Sequence, residues 1–579
     1  MIKLENFSFS FPEKELYKDI SFTLEEGQHC AFIGASGSGK STLTDIIMDP
    51  ERFMYDGKLE ITNGLRIGYV SQFSQLDKTR DITVFDYIGE EFIRLQSEID
   101  AICVEMGTSE DIEPLLEKYQ EALDALEAIG GDDFENNIRK KLYLADLSRL
   151  ETSLVSSLSG GEYKLIQVIK EMLTNPHLII MDEPDAFLDF ENLNSLKDLI
   201  NAHKSMMLII THNRYLLDHC FDKIIHLENK ELQEFNGRYI DYKLSLLQTK
   251  IELQELAAAD TEEIERVKGI VNKLRHVASN HTEAARGKSL HARVKILERL
   301  EARRIKAPFV EIRQPEIRLP ELGEVTDTTV LKVDHYHVAF QEVLLEDASF
   351  EMGSSDKVAL IGPNGTGKTT LLRDIYKNQL DTIELGENVT LAFLSQIQGE
   401  MLKEDNTVQD EFFEAGFKTY DEIREHLLDY GFHDEVLGQK ISNLSGGEKN
   451  LLQLAKISVT KANLLLLDEP TSHLDTYSQI ALEKAVKEYK GAVLMVSHDF
   501  KTIANCADYV LMIEDKTIRK MSIRKFRKMI YAKHFSKDYL EIEDKKNTIE
   551  TRIESALKSE DFELAKVLSE ELEEIIKLL

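Results

Sequence analysis

The sequence predicts an α/β protein of duplicated plan: two phosphate-loop domains of mostly parallel sheet flanked by helices, joined by a long antiparallel helical linker and followed by a C-terminal helical extension. Three observations carry this expectation. Two glycine-rich loops, GASGSGKS at Gly34–Ser41 and GPNGTGKT at Gly362–Thr369, each end in a lysine and a hydroxyl residue. Each is followed, in the same order, by LSGGE (158–162 and 444–448) and by an apolar run closing on Asp-Glu, LIIMDE at 178–183 and LLLLDE at 464–469. Matched triplets in matched order indicate an internal duplication. Between the copies lies a stretch whose apolar residues recur at three- and four-residue steps, the period of a helix.

The elements follow in chain order. MIKLENFSFSF alternates apolar and polar residues and reads as an opening strand, with no charged-then-apolar signal arrangement. The first domain is expected over residues 1–242, short apolar runs alternating with helical patterns, and it holds a largely helical insert at about 85–147 that the second copy lacks at full length. The linker is expected over 243–327. From Tyr242 to Val277 its only Gly or Pro is Gly269, and Ile264, Val267, Val271 and Leu274 share a face. After a polar tip at Ser279-Asn280-His281, the spacing returns at Leu290, Val294, Leu297 and Leu300, which predicts two antiparallel helices along one apolar seam. At 1.5 Å per residue, about 35 residues reach roughly 50 Å. The second domain is expected over 328–533. Residues 534–579 then form a short helical hairpin, with Ile549, Ile553 and Leu557 on one arm and Phe562, Ala565, Leu568 and Leu572 on the other.

Composition bounds the function. The chain has 579 residues, 42% hydrophobic and 30% charged, as in an ordinary soluble protein of several domains. No apolar run approaches the roughly 20 residues that span a bilayer, which excludes a permease within this chain. Cys30, Cys103, Cys220 and Cys506 are scattered without a CxxC pair, so neither a disulfide framework nor a zinc site is indicated, and a reducing cytoplasm is expected. The net charge of −34 argues against nucleic acid only as an average. From Lys273 to Lys306 ten basic residues stand against three acidic ones, a net +7 inside an acidic protein. Lys516 to His534 holds eight Lys or Arg and no Asp or Glu, whereas Lys537 to Leu579 is acidic.

The chemistry sits in the duplicated motifs. The loop glycines turn backbone N–H groups toward phosphates at a helix N-terminus, where the dipole favours negative charge. Lys40 and Lys368 then neutralise the β and γ phosphates, and Ser41 and Thr369 offer hydroxyls to Mg²⁺. Asp182 and Asp468 stand at strand ends where a carboxylate holds that cation, and Glu183 and Glu469 are candidates for polarising the attacking water.

These residues resemble the ABC superfamily, and the resemblance implies further positions. Gln72 in GYVSQ and Gln396 in AFLSQ match its Q-loop glutamine, which contacts Mg²⁺ and the attacking water. His212 in IITHN and His498 in MVSHD match its switch histidine, placed on the γ-phosphate. Gly34, Ser36, Gly37, Gly39, Lys40, Ser41 and Thr42, and in the second copy Gly362, Asn364, Gly365, Gly367, Lys368, Thr369 and Thr370, would line the two ATP sites. Phe11 and Phe340 stand where the family stacks a ring on adenine, although a Phe in an alternating strand is as readily a core residue. The family also implies that LSGGE closes on the ATP of the opposite cassette. Ser445, Gly446 and Gly447 would complete the site of Lys40, and Ser159, Gly160 and Gly161 that of Lys368, so that two ATP molecules clamp the cassettes together.

Twin cassettes in one chain, no membrane segment and a helical linker make the layout similar to the ABC-F class up to about residue 535. NGRYIDY at 236–242 resembles that class's exit from its first cassette, and AARGKSLHARVKILERL is similar to the basic stretch of its linker. The resemblance implies a monomer bound at the ribosomal tRNA exit site, its linker tip directed at the P-site tRNA and peptidyl-transferase centre. Arg275, Arg286, Lys288, Arg293 and Lys295 would there meet RNA phosphates. A translation factor and an antibiotic-resistance protein both fit. Two other functions compete: the ATPase subunit of a transporter, which leaves the basic rod unexplained, and a DNA-binding repair ATPase acting through the C-terminal extension, which resembles the hairpin of excision-repair helicase subunits. One departure stands out. Where the class usually reads DEPTNHLD, the first cassette has DEPDAFLD (182–189) and the second DEPTSHLD (468–475), so Ala186 and Phe187 replace a polar pair between the two sites. Unequal cassettes are therefore expected: Glu183→Gln and Glu469→Gln should lower ATP turnover to different extents, and equal losses would refute the inequality.

Overall fold

The computed structural model describes residues 1–11, 14–72, 81–108, 112–186, 188–256, 258, 315–322, 328–340, 343–396, 401–534 and 539–578. The chain forms two compact units, Met1–Arg238 with Gln314–Ile530, and Tyr239–Arg313 with Tyr531–Leu579.

The first unit contains both cassettes, and each is built on the same two sheets. In the first cassette a six-stranded sheet runs in the order Ile67–Val70, Leu178–Asp182, Met206–Ile210, His29–Gly34, Lys223–Glu228, Glu231–Asn236, all parallel except the last. Its central strands LIIMD and MMLII are buried at every position. Continuous apolar runs suit this sheet because both of its faces are covered, leaving no solvent side for polar residues. The second cassette repeats the order with Leu391–Leu394, Leu464–Asp468, Ala492–Val496, Lys357–Ile361, Tyr509–Glu514 and Thr517–Ser522.

A three-stranded antiparallel sheet lies on each core. In the opening strand, Ile2 and Leu4 are buried, then Phe7 and Phe9, so the inward face changes phase between Leu4 and Phe7. Asn6 makes that change with φ +49° at a break in register, a bulge of the kind that Asn tolerates. His335 repeats it in the second cassette, also with φ +49°, between the buried Val333 and Tyr336. Strict alternation fails at both positions because an extra residue is accommodated in the strand.

The insert of the first cassette consists of helices Val84–Ile88, Glu90–Met106, Glu113–Ala128 and Phe134–Leu144. The two long ones pack through Ile99, Ile102, Leu115 and Ala122. The second cassette has only the shorter Val408–Glu414, Tyr420–Asp429 and Asp434–Leu437 in that place. Chain returning from the linker lies along this shorter group, where Glu316 N donates to Asp429 O at 2.7 Å and the Tyr430 hydroxyl donates to Arg318 O at 2.9 Å.

The second unit joins a helix over residues 239–256 to the hairpin Tyr539–Lys558 and Phe562–Ile576 around one core. Leu244 and Ile251 meet Ile549, Ile553, Ala556, Ala565, Leu568, Leu572 and Ile576. The Asp561 side chain accepts from Leu564 N and caps the second arm. Ala556 takes the inner place that spacing gives to Leu557, which is only partly buried against the same core. The linker seam from Ile264 to Leu300 lies outside the described residues. No helix among the described residues is long and apolar enough to cross a membrane. Ile553 is fully buried in this core, so Ile553→Ala should destabilise the second unit by about 2–5 kcal/mol. Faster amide exchange across residues 549–576 would register that loss.

Candidate ATP sites between the cassettes

Each phosphate loop joins a buried strand to a helix. In the first cassette Gly37 (φ +73°) and Gly39 (φ +102°) adopt backbone that side chains resist, and the helix Lys40–Met48 starts directly after them. Lys40 Nζ donates to the carbonyls of Gly34 and Ala35, both at 2.9 Å. Burial depresses the Lys40 pKa against the charges of Glu183, Asp475 and Asp182. In the second cassette Lys368 Nζ likewise donates to Gly362 O and Pro363 O, both at 2.8 Å.

Hydroxyl–carboxylate pairs stand beside both lysines. Thr369 Oγ1 donates to Asp468 Oδ1 at 3.2 Å, and the Ser41 side chain bonds the Asp182 carboxylate, whose pKa burial still raises. Next to each Asp, Glu183 (φ +42°) and Glu469 (φ +49°) hold left-handed backbone, pinned where Glu183 N donates to Ile210 O and Glu469 N to Val496 O, each at 2.9 Å. Such strain persists only where the surroundings over-determine it.

The signature segments cross between cassettes. Ser445 Oγ lies 3.2 Å from Ser36 Oγ of the first phosphate loop. A Cβ at Gly447 would meet Ser36 Oγ at 2.7 Å and His473 O at 2.5 Å, so only glycine allows this approach. On the other side, a Cβ at Gly161 would stand 3.5 Å from Asn364 Nδ2. Ser159 and Ser445 both begin helices as capping boxes: Glu162 accepts from Ser159 N (3.0 Å) and Oγ (2.8 Å), and Glu448 from Ser445 N (2.8 Å) and Oγ (2.7 Å).

Two cavities result. One of about 810 Å³ is lined by Ser36, Gly37, Gly39, Lys40, Ser41, Thr42, Gln72, Asp182 and Glu183 with Ser445, Gly446 and Gly447. The other, of about 640 Å³, is lined by Asn364, Gly365, Gly367, Lys368, Thr369, Thr370, Gln396, Asp468, Glu469 and His498 with Ser159, Gly160 and Gly161. Both are of nucleotide size. Gly34 and Gly362 serve through their carbonyls. His212 lines the second cavity, not the first, although the Lys40 and Glu183 charges act on it. Phe11 is 47% exposed at the mouth of the first cavity, which removes the core alternative for it. Phe340 is 72% exposed, which removes the core alternative for it too; Leu344 is the apolar residue that lines the second cavity. The five linker residues Arg275, Arg286, Lys288, Arg293 and Lys295 lie outside the described residues.

The two glutamates differ. Glu183 Oε2 accepts from Gln72 Nε2 at 2.7 Å and from His473 Nδ1 at 2.9 Å. Burial alone would raise its pKa, but the His473 bond and the charges of His473, His212 and Lys40 bring it down to about 2. Glu469 instead is pushed up to about 8 by burial and the neighbouring Asp468. Its side-chain contacts are with His498 of its own cassette, Nε2 at 3.5 Å from Oε1 and the backbone N–H donating to Oε2 at 3.3 Å. Burial holds the His498 pKa down at about 3 and that of His212 at about 4. His473 was not among the sequence candidates. It was visible as the histidine of DEPTSHLD, but nothing local ties it to a carboxylate 290 positions away.

A buried ion cluster joins the cassettes behind these sites. The Arg214 guanidinium pairs with Glu483 and, at 2.8 Å, with Asp499, and donates to Thr502 Oγ1 at 3.1 Å. Lys501 pairs with Asp218 in the reverse direction.

The comparisons with known proteins agree with this architecture. The ABC transporter family matches residues 17–186 and 345–472, more than half of the chain. ABC transporter F family member 2 of Arabidopsis thaliana is 32% identical over 89% of this chain and 76% of its own length. The energy-dependent translational throttle protein EttA of Escherichia coli K12 is 28% identical over 87% of this chain and 90% of its own. Among solved structures, archaeal ribosome recycling factor aABCE1 in complex with stalk protein aP1 superposes with TM-score 0.55 at 16% identity, covering 91% of this chain and 92% of that one. The fold and paired sites define a twin-cassette ABC ATPase, an enzyme that binds and hydrolyses ATP. Within that class the chain belongs to the ABC-F family.

Removing Arg214 leaves Glu483 and Asp499 buried without their cation, so Arg214→Met should cost about 3–5 kcal/mol in urea unfolding. Arg214 holds the Asp499 pKa below its ordinary 3.8 in spite of burial. A depressed carboxylate stabilises the fold above that ordinary value and loses the contribution as pH falls through the lower, folded one. The gap between wild type and variant should therefore narrow on acidification below about pH 4.

Proposed function

We propose that this protein is a ribosome-associated ATPase that modulates translation from the tRNA exit site, bound in the ATP-closed state with its basic linker directed at the P-site tRNA. The observation that carries the reading is the crossing of both signature segments onto opposite phosphate loops, seen at Ser36–Ser445. ATP held at both interfaces would lock the cassettes into one body, and hydrolysis would release them.

At the first site the phosphate-loop amides and Lys40 bind the β and γ phosphates, and Ser445, Gly446 and Gly447 offer amides from the other side. Glu183 orients the attacking water with Gln72 beside it, while His212, which borders the second cavity, acts on this site through its charge interaction with Lys40 and Glu183. At the second site Lys368, Gln396, Glu469 and His498 take these roles, with Ser159, Gly160 and Gly161 opposite. The hydroxyl–carboxylate pairs Ser41–Asp182 and Thr369–Asp468 are all-oxygen sets suited to Mg²⁺, with Gln72 and Gln396 within reach of the same position. When bound, that cation would neutralise developing phosphate charge.

Support for the ribosomal partner is twofold. EttA, a translational throttle protein by name, aligns with nearly the whole chain. The linker stretch carries a net +7 in a protein of charge −34, a distribution fitted to RNA phosphates and to no soluble small substrate.

The Glu183→Gln, Glu469→Gln double variant should co-sediment with ribosomes in the presence of ATP, less so at higher salt, and not without ATP. Absence of pelleting with ATP binding intact would overturn the ribosomal reading in favour of a membrane or DNA partner. Restoration of drug-inhibited translation by the wild-type chain would add antibiotic protection to the role.

A further inference from the structure

We propose that His473, carried by the second cassette, is a positioning residue for the glutamate of the first, so that the first ATP site alone is aligned in trans by an imidazole. The proposal rests on the reading of Glu183 as the group that orients the attacking water.

The loop Asp468–Asp475 leaves its strand at the cassette interface, and His473 takes left-handed backbone there with φ +60°. Its ring is held from two sides. A Cβ built on Gly446 would lie 3.1 Å from His473 Cδ2, so the ring packs closely against the signature glycine of its own cassette. Its Nδ1 then reaches Glu183 Oε2 of the other cassette at 2.9 Å, and the side chain is only 13% exposed. Gln72 Nε2 donates to the same oxygen at 2.7 Å and lies 3.2 Å from His473 Nδ1. Two donors thus converge on one carboxylate oxygen, which fixes the plane of the group. Among the described residues no hydrogen bond meets Oε1, the oxygen that remains to receive a water proton.

Among the described residues the second site has no counterpart to this pair of contacts. The residue at the corresponding place of the first cassette's loop is Phe187, whose ring carries no hydrogen-bonding atom. Both side-chain contacts of Glu469 come from His498 of its own cassette. The first site's glutamate thus takes one of its two orienting contacts, that from His473, only while the second cassette is seated against it, whereas the contacts of the second site's glutamate come from within its own cassette. An ångström-scale loss of alignment costs a reacting group about a hundredfold in rate.

The test is single-turnover ATP hydrolysis by the full chain, with each site isolated by silencing the other. In the Glu469→Gln protein, which reports the first site, His473→Ala should slow hydrolysis at saturating ATP by about tenfold to a hundredfold. The ATP concentration for half-maximal rate should change less than about twofold, and His473→Gln, which keeps an N–H donor, should recover most of the rate. In the Glu183→Gln protein, which reports the second site, His473→Ala should slow hydrolysis far less, because the His473 ring borders that cavity without meeting Glu469. Equal slowing at both sites, no slowing at the first, or a change confined to half-saturation would overturn the proposal. If Glu183→Gln alone leaves first-site hydrolysis intact, the role of Glu183 falls first, and that result is distinguishable from a failure of His473.

Discussion

The rest of the structure depends on the approach of each signature helix to the phosphate loop of the other cassette. At the first site this approach is close enough that Gly447 has no room for a methyl group against Ser36 and the His473 carbonyl. The parallel sheets present the loops at their strand ends, the left-handed Glu183 and Glu469 turn carboxylates into the same space, and Arg214 with Glu483 and Asp499 ties the two bodies behind it. A cluster of buried charges is a poor source of net stability, since desolvation offsets much of its attraction. Its value here is orientational: it tolerates one arrangement of the two cassettes and penalises others.

Much of the site was legible in the sequence because its parts are local. A phosphate loop needs its glycines, lysine and hydroxyl within eight consecutive positions, and a carboxylate pair at the end of an apolar strand announces its own surroundings. The crossing of Ser445 to Ser36 was anticipated from family resemblance, not from spacing, which carries no information across 409 positions. What stayed hidden is of the same long-range kind: His473 on Glu183, and Arg214 on Glu483. Single-strand patterns also failed where the backbone carries an extra residue, at Asn6 and His335, because alternation presumes an unbroken pleat. Phe340 looked like either a core ring or a stacking ring, and its 72% exposure just beyond its strand removes the first of these.

The duplicated motifs conceal electrostatic inequality. Glu183 and Glu469 share backbone angles, flanking residues and strand position, yet one carboxyl is driven down to about 2 and the other up to about 8. The difference comes from what faces them. Glu183 meets an imidazole and an amide; Glu469 meets burial and the charge of Asp468. The same motifs in two copies thus stand in different hydrogen-bonding and charge surroundings.

The two capping boxes have a further consequence for how firmly the cassettes can hold a nucleotide. Glu448 accepts from both the hydroxyl and the amide of Ser445, and Glu162 does the same at Ser159. An anion arriving at either serine does not find bare donors. It displaces a tethered carboxylate, exchanging one charge-assisted bond for another, so the net gain is a fraction of the bond's gross strength. Each latch therefore carries a built-in competitor, and when the phosphate departs, the helix start is sealed again by its own side chain.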